Sequence, residues 1–242
     1  MSEGLCAARD GAVLTLTLNR PEKRNALSAP LVEALLDRVA AAYDDGTRLV
    51  VFRGEGRNFS AGFDFGDLDD VSDADLLRRF VRIEELLQAV HHAPYDTLAL
   101  AHGRTFGAGA DLVCACARRV AAPDSAFLLP GLRFGLVLGT RRFAARVGAG
   151  EARRLLGDGV TFDAAHARAI GFLTDLAAAD DWDAYAAATL AAATGLGAAA
   201  RADLNRATTP DTRDRDLADL VRSAARPGLK QRIQHYRKGG AA

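Results

Sequence analysis

Lysine is almost absent from this chain: among 31 basic residues the lysines are Lys23, Lys230 and Lys238. Arginine supplies the rest. With the excess of alanine and glycine, this reads as composition rather than as a functional signature. Net charge is also absent, since 31 basic residues face 31 acidic ones. No bulk attraction to nucleic acid or to a membrane surface follows, and neither is expected as a partner. No apolar run approaches the roughly 18 residues of a bilayer span. The start Met-Ser-Glu-Gly lacks the basic-then-apolar order of a secretory leader. A soluble, cytoplasmic protein is therefore expected. Cysteine is scarce and odd in number: Cys6, Cys114 and Cys116. The last two are two apart on an expected helix, so they point to nearly opposite sides and cannot chelate one metal. They read as small core residues in a reducing compartment. The five histidines, His91, His92, His102, His166 and His235, show no metal-ligand spacing. No metal is expected.

What is present is a globular chain of 242 residues, 49% hydrophobic and 26% charged, which suits one domain with a helical appendage. Val13–Leu18 alternates as a strand, with Leu14, Leu16 and Leu18 on one face. Ser28 can cap the next helix, and Pro30 is tolerated in its first turn. Val32, Leu35, Leu36, Val39 and Tyr43 recur at helical spacing. Leu49–Phe52 is a buried strand. Ser72 and Asp75 resemble a capping box ahead of an amphipathic helix running to Val90. Thr97–Leu100 is a third strand, followed by a helix from Ala108 to Ala117. Short strands follow at Arg119–Ala121 and Ala126–Leu129. From Thr140 onward helical patterns recur, at Thr140–Val147, Glu151–Leu156, Asp163–Ile170, Trp182–Ala193 and Asp211–Ala225, before a basic tail, Lys230–Lys238. Strands alternating with helices imply a parallel sheet with right-handed crossovers.

Two loops that follow strands carry glycine: Asn58-Phe59-Ser60-Ala61-Gly62-Phe63-Asp64, and the turn through Gly103, Gly107 and Gly109. In a parallel sheet such loops share one edge, where ligands bind. Each can aim a backbone N–H, and two N–H groups on one oxygen form an oxyanion hole. The second loop opens a helix whose first turn holds Asp111. That carboxylate could be catalytic, or could only complement the helix dipole. The spacing does not fit a dinucleotide fingerprint, because Leu112 stands where the third glycine would be.

Thr15–Leu27 (TLTLNRPEKRNAL), Phe59–Asp64 (FSAGFD), Gly103–Asp111 (GRTFGAGAD), Thr161–Ala164 and Ile170–Leu173 together resemble the crotonase superfamily, the enoyl-CoA hydratase/isomerase family. The resemblance runs in order from about Leu14 to Leu173. It implies an α/β fold: a crotonase-like ββα-repeat core over residues 1–175, then a C-terminal helical trimerisation region over 176–242. It implies an acyl-CoA thioester substrate and a homotrimer or homohexamer. Coenzyme A arrives as part of the substrate, and no separate cofactor is implied.

By the same resemblance, the backbone N–H groups of Phe63 and Ala108 would hold the thioester oxygen. Arg24, Ala26, Ala61, Asp64, Phe65 and Gly66 would line the coenzyme A path, with Arg24 near a phosphate. Of the two family glutamates, the first falls on Asp111, one methylene shorter, and the second falls on Gly131, which carries no acid. The expected reaction is enoyl-CoA hydration. The alternatives are isomerisation or another acyl-CoA reaction using the single acid Asp111, or a non-catalytic acyl-CoA-binding scaffold. Asp64, Asp67, Asp69 and Asp70 read as a solvated cluster. Arg133, Arg141 and Arg142 read as surface or subunit-contact residues, with binding of an acidic acyl group as the alternative.

Overall fold

The computed structural model describes residues 4–239; part of the N-terminal stretch behind the leader expectation lies outside them. The chain opens with a hairpin of β1 (Leu5–Asp10) and β2 (Val13–Leu18), turned at Gly11 with φ +54°. Helix α1 (Ala29–Ala41) leads to β3 (Leu49–Gly54), and α2 (Asp73–His91) leads to β4 (Asp96–Ala101). Next come β5 (Arg104–Phe106), α3 (Ala108–Ala115), β6 (Arg118–Ala121) and β7 (Ala126–Leu128). Helices α4 (Thr140–Val147) and α5 (Ala149–Asp158) precede β8 (Phe162–Asp163), α6 (Ala164–Ala169) and β9 (Asp175–Leu176). Four helices follow: α7 (Trp182–Thr194), α8 (Ala198–Thr208), α9 (Arg213–Ala224) and α10 (Leu229–Arg237).

The larger sheet has the order β1-β2-β3-β4-β6-β9, parallel except for β1. A smaller sheet has the order β5-β7-β8. Isolated parallel bridges extend this second layer, pairing Leu27 with Phe63 and Ser60 with Thr105. The chain therefore winds as a spiral. Each turn lays a strand in the large sheet, a short extended piece in the second layer, and then a helix. This is the ββα repeat.

β4 is buried along its whole length because the large sheet is covered on both faces. Ala99 and Ala101 join the main core with Val50 and Phe52, while Leu98 and Leu100 pack with Leu49, Val51 and Val120 against Trp182 of α7. The expected caps are present. Ser28 Oγ accepts the Leu31 N–H. Ser72 and Asp75 form the reciprocal capping box, at 3.0 and 3.2 Å.

Several elements differ from the sequence expectation. β1 is an edge strand with one buried residue, Leu5, so no apolar alternation announces it. β5 is three residues long. The helix expected to reach Ala117 stops at Ala115, and Cys116 is extended, at φ −69° and ψ 149°. Cys114 and Cys116 thus do not share a helix, although both are buried; Cys6 is exposed. The basic tail is helix α10, which buries Leu229 and Ile233. No helix among the described residues is long and apolar enough to cross a membrane.

Candidate active site

The two glycine loops are stitched together side by side. Phe59 N–H donates to His102 O and Phe106 N–H to Ser60 O, each at 2.9 Å. Gly62 has φ +86°, and a Cβ there would lie 2.6 Å from Phe106 O and 3.0 Å from Ala108 N. A Cβ on Gly109 would lie 2.7 Å from that of Ser60. Both turns need glycine for a close backbone approach, and Gly62 also needs it for its left-handed φ. Substituting Gly62 with Ala is therefore expected to cost about 1–3 kcal/mol. Urea unfolding should show a lower midpoint at unchanged slope.

A second layer of bonds fixes the first loop. Asn25, fully buried, donates to Glu55 O and Asn58 O at 2.8 Å each. Ala61 N–H donates to Arg24 O at 2.9 Å, Leu27 N–H to Gly62 O at 2.7 Å, and Asp64 N–H to Leu27 O at 3.3 Å. In this parallel pairing alternate N–H groups are used, and that of Phe63 is not. Ala108 begins α3, so its N–H has no partner within the helix. Among the described residues neither N–H donates a hydrogen bond. Gly62 brings these two unused donors next to each other.

They open onto an apolar cavity of about 170 Å³, walled by Phe65, Phe106, Leu129, Phe134 and Tyr236 among others. Phe63 stacks on Phe80 at 4.4 Å between ring centres, with the Arg79 guanidinium 4.5 Å from its ring centre. Asp111 and Gly131 line the same cavity. Asp111 is 4% exposed. Its Oδ1 is buried without a hydrogen-bond partner, and a Cβ on Gly139 would lie 2.1 Å from it. Burial pushes the Asp111 carboxyl well above the usual carboxylate range; Arg142 pulls the other way and Glu84 adds to the rise. Gly131 supplies no acid, so among the described residues Asp111 is the one carboxylate that lines the cavity.

An adjoining opening of about 420 Å³ brings together Arg24, Ala26, Ala61, Asp64, Phe65 and Gly66, with Arg237 of α10 beside them. Arg24 holds a left-handed φ of 53° after the 3₁₀ turn Pro21–Lys23 and is exposed at the rim. Asp64 is tied inward, accepting from Arg20 at 2.7 Å and from Gly66 N–H at 2.9 Å. Burial opposes its charge, but these bonds with the Arg20 and Arg79 charges hold its carboxyl below the usual range. Asp67 pairs with Arg79 and Asp69 with Gln234, each at 2.8 Å. Asp67, Asp69 and Asp70 are exposed, as a solvated cluster requires, and the expectation is corrected for Asp64 alone.

A second correction concerns Arg142. It is not a surface residue: its side chain is 2% exposed and paired with Glu84, 1% exposed. Arg141 does lie at the surface, paired with Asp216 and Asp219. His102 makes the structural bond expected of it, 2.8 Å from Gly56 O. Sequence reasoning missed Glu84, whose signal is its position. It lies on the apolar stripe of α2, between Phe80, Ile83 and Leu87, where a charge needs a buried partner.

Spiral topology, abutting glycine turns and an apolar cavity at their edge define an α/β protein of the crotonase fold. A family model described as enoyl-CoA hydratase/isomerase matches residues 8–228. The chain belongs to that family. It is 39% identical over 148 residues to a Mycobacterium bovis protein called probable enoyl-CoA hydratase echA6, covering 60% of this chain and 59% of that one. It thus spans about three fifths of that relative's length. It is 34% identical over 185 residues to the Escherichia coli 2,3-dehydroadipyl-CoA hydratase, covering 74% and 71%. A Bordetella parapertussis crystal structure, described as a putative enoyl-CoA hydratase/isomerase, superposes with a TM-score of 0.96 at 56% identity, covering 97% and 98% of the two chains.

Proposed function

We propose that this protein is an enoyl-CoA hydratase that works through a thioester enolate. The observation that carries this is the pair of unused N–H groups, Phe63 and Ala108, beside a buried carboxyl in an apolar cavity. Coenzyme A would follow the opening from Arg24 to Gly66, the guanidinium matching a phosphate. The acyl group would enter the cavity with its thioester oxygen between the two N–H groups. Each such donor is worth about 2.7–4 kcal/mol to the developing charge.

One carboxyl can balance the proton account. Water oxygen bonds to Cβ while the electrons of the Cα–Cβ double bond shift onto the thioester oxygen. The enolate then takes a proton at Cα from Asp111, whose protonated form is favoured by burial. The added water surrenders a proton, which returns to Asp111. No electron is gained or lost, so the chemistry calls for no redox cofactor. Among the described residues the cavity lining holds no Lys, Arg or His, so it suits a neutral acyl group.

Gly131 favours a second reading. Without a second acid to activate water, Asp111 could instead carry one proton between Cα and Cγ, which is isomerisation. One measurement separates these outcomes. Purified protein is given a 2-enoyl-CoA, or the matching 3-enoyl-CoA, in D₂O. A 3-hydroxyacyl-CoA bearing one deuterium at Cα is expected. Conversion of the 3-enoyl to the 2-enoyl ester alone would select the isomerase. Ester binding without product or α-exchange would overturn both in favour of a scaffold. The same proposal includes a cytoplasmic homotrimer or homohexamer, with the helices after residue 176 at subunit contacts.

A further inference from the structure

Near Asp111 lies a buried ionic cluster that the proposed reaction does not use. Arg142 of α4 donates to Glu84 of α2, at 2.8 Å from Nη1 and 2.5 Å from Nη2, and to Asp216 of α9 at 3.3 Å. Asp216 also accepts from Arg141 at 2.9 Å and from Thr212 at 2.7 Å. Glu84 also accepts from Gln88 at 2.9 Å. Arg141 also pairs with Asp219 at the surface, so the buried charge balance is that of Arg142 with Glu84 and Asp216.

Two polar atoms of the region remain buried without a hydrogen bond: Oδ1 of Asp111 and Nε of Arg142. They belong to neighbouring pieces of structure. Gly139, against which Oδ1 packs, caps the N-terminus of α4, and Arg142 lies three residues further on the same helix. Glu84 and Arg142 are the charged groups whose fields reach Asp111, with opposite signs. Beyond that cluster, burial favours the neutral form of two further titratable groups of the region. Burial pushes the Cys114 thiol on α3 up to about 11. Burial likewise raises the Tyr236 phenol of α10, which lines the cavity.

We infer that Glu84 and Arg142 are positioning residues for Asp111: Glu84 cancels the Arg142 charge so that Asp111 keeps a proton to give, and Arg142 steadies the carboxylate once the proton has gone. The inference rests on the reading of Asp111 as the proton carrier. A lone Arg142, one helical turn beyond the Gly139 that packs on Oδ1, would favour the ionised form of Asp111, because a nearby opposite charge lowers a carboxyl. A lone Glu84 would keep Asp111 from releasing its proton. The pair together leaves the group protonated yet able to discharge.

The test reads the protonation of Asp111 directly. The carboxyl C=O infrared band that disappears in Asp111→Asn is followed against pH in the full-length protein and in Glu84→Gln. The variant leaves Arg142 one carboxylate short, so the midpoint is expected to fall by about 1 unit or more. The acid limb of kcat/KM against pH should fall with it. A midpoint unmoved in folded Glu84→Gln would overturn the inference. Should that variant not fold, Asp216→Asn removes the other carboxylate on Arg142. A smaller shift in the same direction is then expected, and none would be equally fatal. A midpoint that moves while the pH–rate profile stays put upholds the pair's hold on Asp111 and overturns Asp111 as proton carrier.

Discussion

Replacing Asp111 with Asn is expected to lower kcat/KM by about 10²–10⁴, the usual worth of a positioned acid–base group. Binding of a saturated acyl-CoA should persist, because the Phe63 and Ala108 N–H groups belong to the backbone and the cavity wall is apolar. The amide fills nearly the same volume as the carboxyl, so loss of turnover with retained binding identifies lost proton transfer. Equal rates in the two proteins would make Asp111 a structural residue of the first helical turn. A second signature is the pH dependence of folding. The folded-state carboxyl sits well above its ordinary value because of burial. Above the unfolded value of about 3.9, the unfolded chain releases this proton while the folded protein retains it. Rising pH therefore weakens the folded state through this group until its raised folded value is passed. The amide of the Asp111→Asn variant does not titrate. The unfolding free energy of wild type minus that of the variant should thus decline as pH rises from about 4; a flat difference would mean that burial does not shift the group.

The parts of the protein that could be read from sequence are those whose physics is local. The loop glycines were legible because a left-handed φ at Gly62 and a backbone approach at Gly109 leave no room for a side chain. Ser28 and the Ser72–Asp75 box announced their helices because caps act over three residues. β1 was missed because an exposed edge strand needs no apolar alternation, and its partner supplies the pairing instead. α8 was missed for the same kind of reason, since it buries no residue and carries no stripe. Residues named for the substrate path fell into two adjoining openings because loops after successive strands of one parallel sheet emerge at one edge. The Arg142–Glu84 pair was not read for the opposite reason. Its partners are 58 residues apart, so the place of Glu84 on the apolar stripe of α2 calls for a buried partner without saying which residue supplies it.

That pair sets the second large effect. Substituting Arg142 with Leu is expected to destabilise the protein by about 3–5 kcal/mol, since Glu84 would remain buried, charged and unpaired. Glu84→Leu should cost a similar amount by stranding Arg142, with some relief from Asp216 at 3.3 Å. Against a total stability of about 5–15 kcal/mol, either single change threatens folding at physiological temperature. The double substitution, Glu84→Leu with Arg142→Leu, should recover most of the loss, because neither desolvated charge remains and Asp216 keeps Arg141 and Thr212 as partners. Urea unfolding of the four proteins at one pH measures this as a coupling free energy. Losses that simply add would mean that the two charges do not depend on each other. The cycle also separates two roles of one structure. Removing both charges leaves Asp111 in a field as balanced as before. The double variant should therefore keep Asp111 protonated at neutral pH while lacking the cation that steadies the carboxylate after proton release. Its carboxyl band should titrate no lower than in the native protein, and turnover, not stability, should then record what Arg142 contributes.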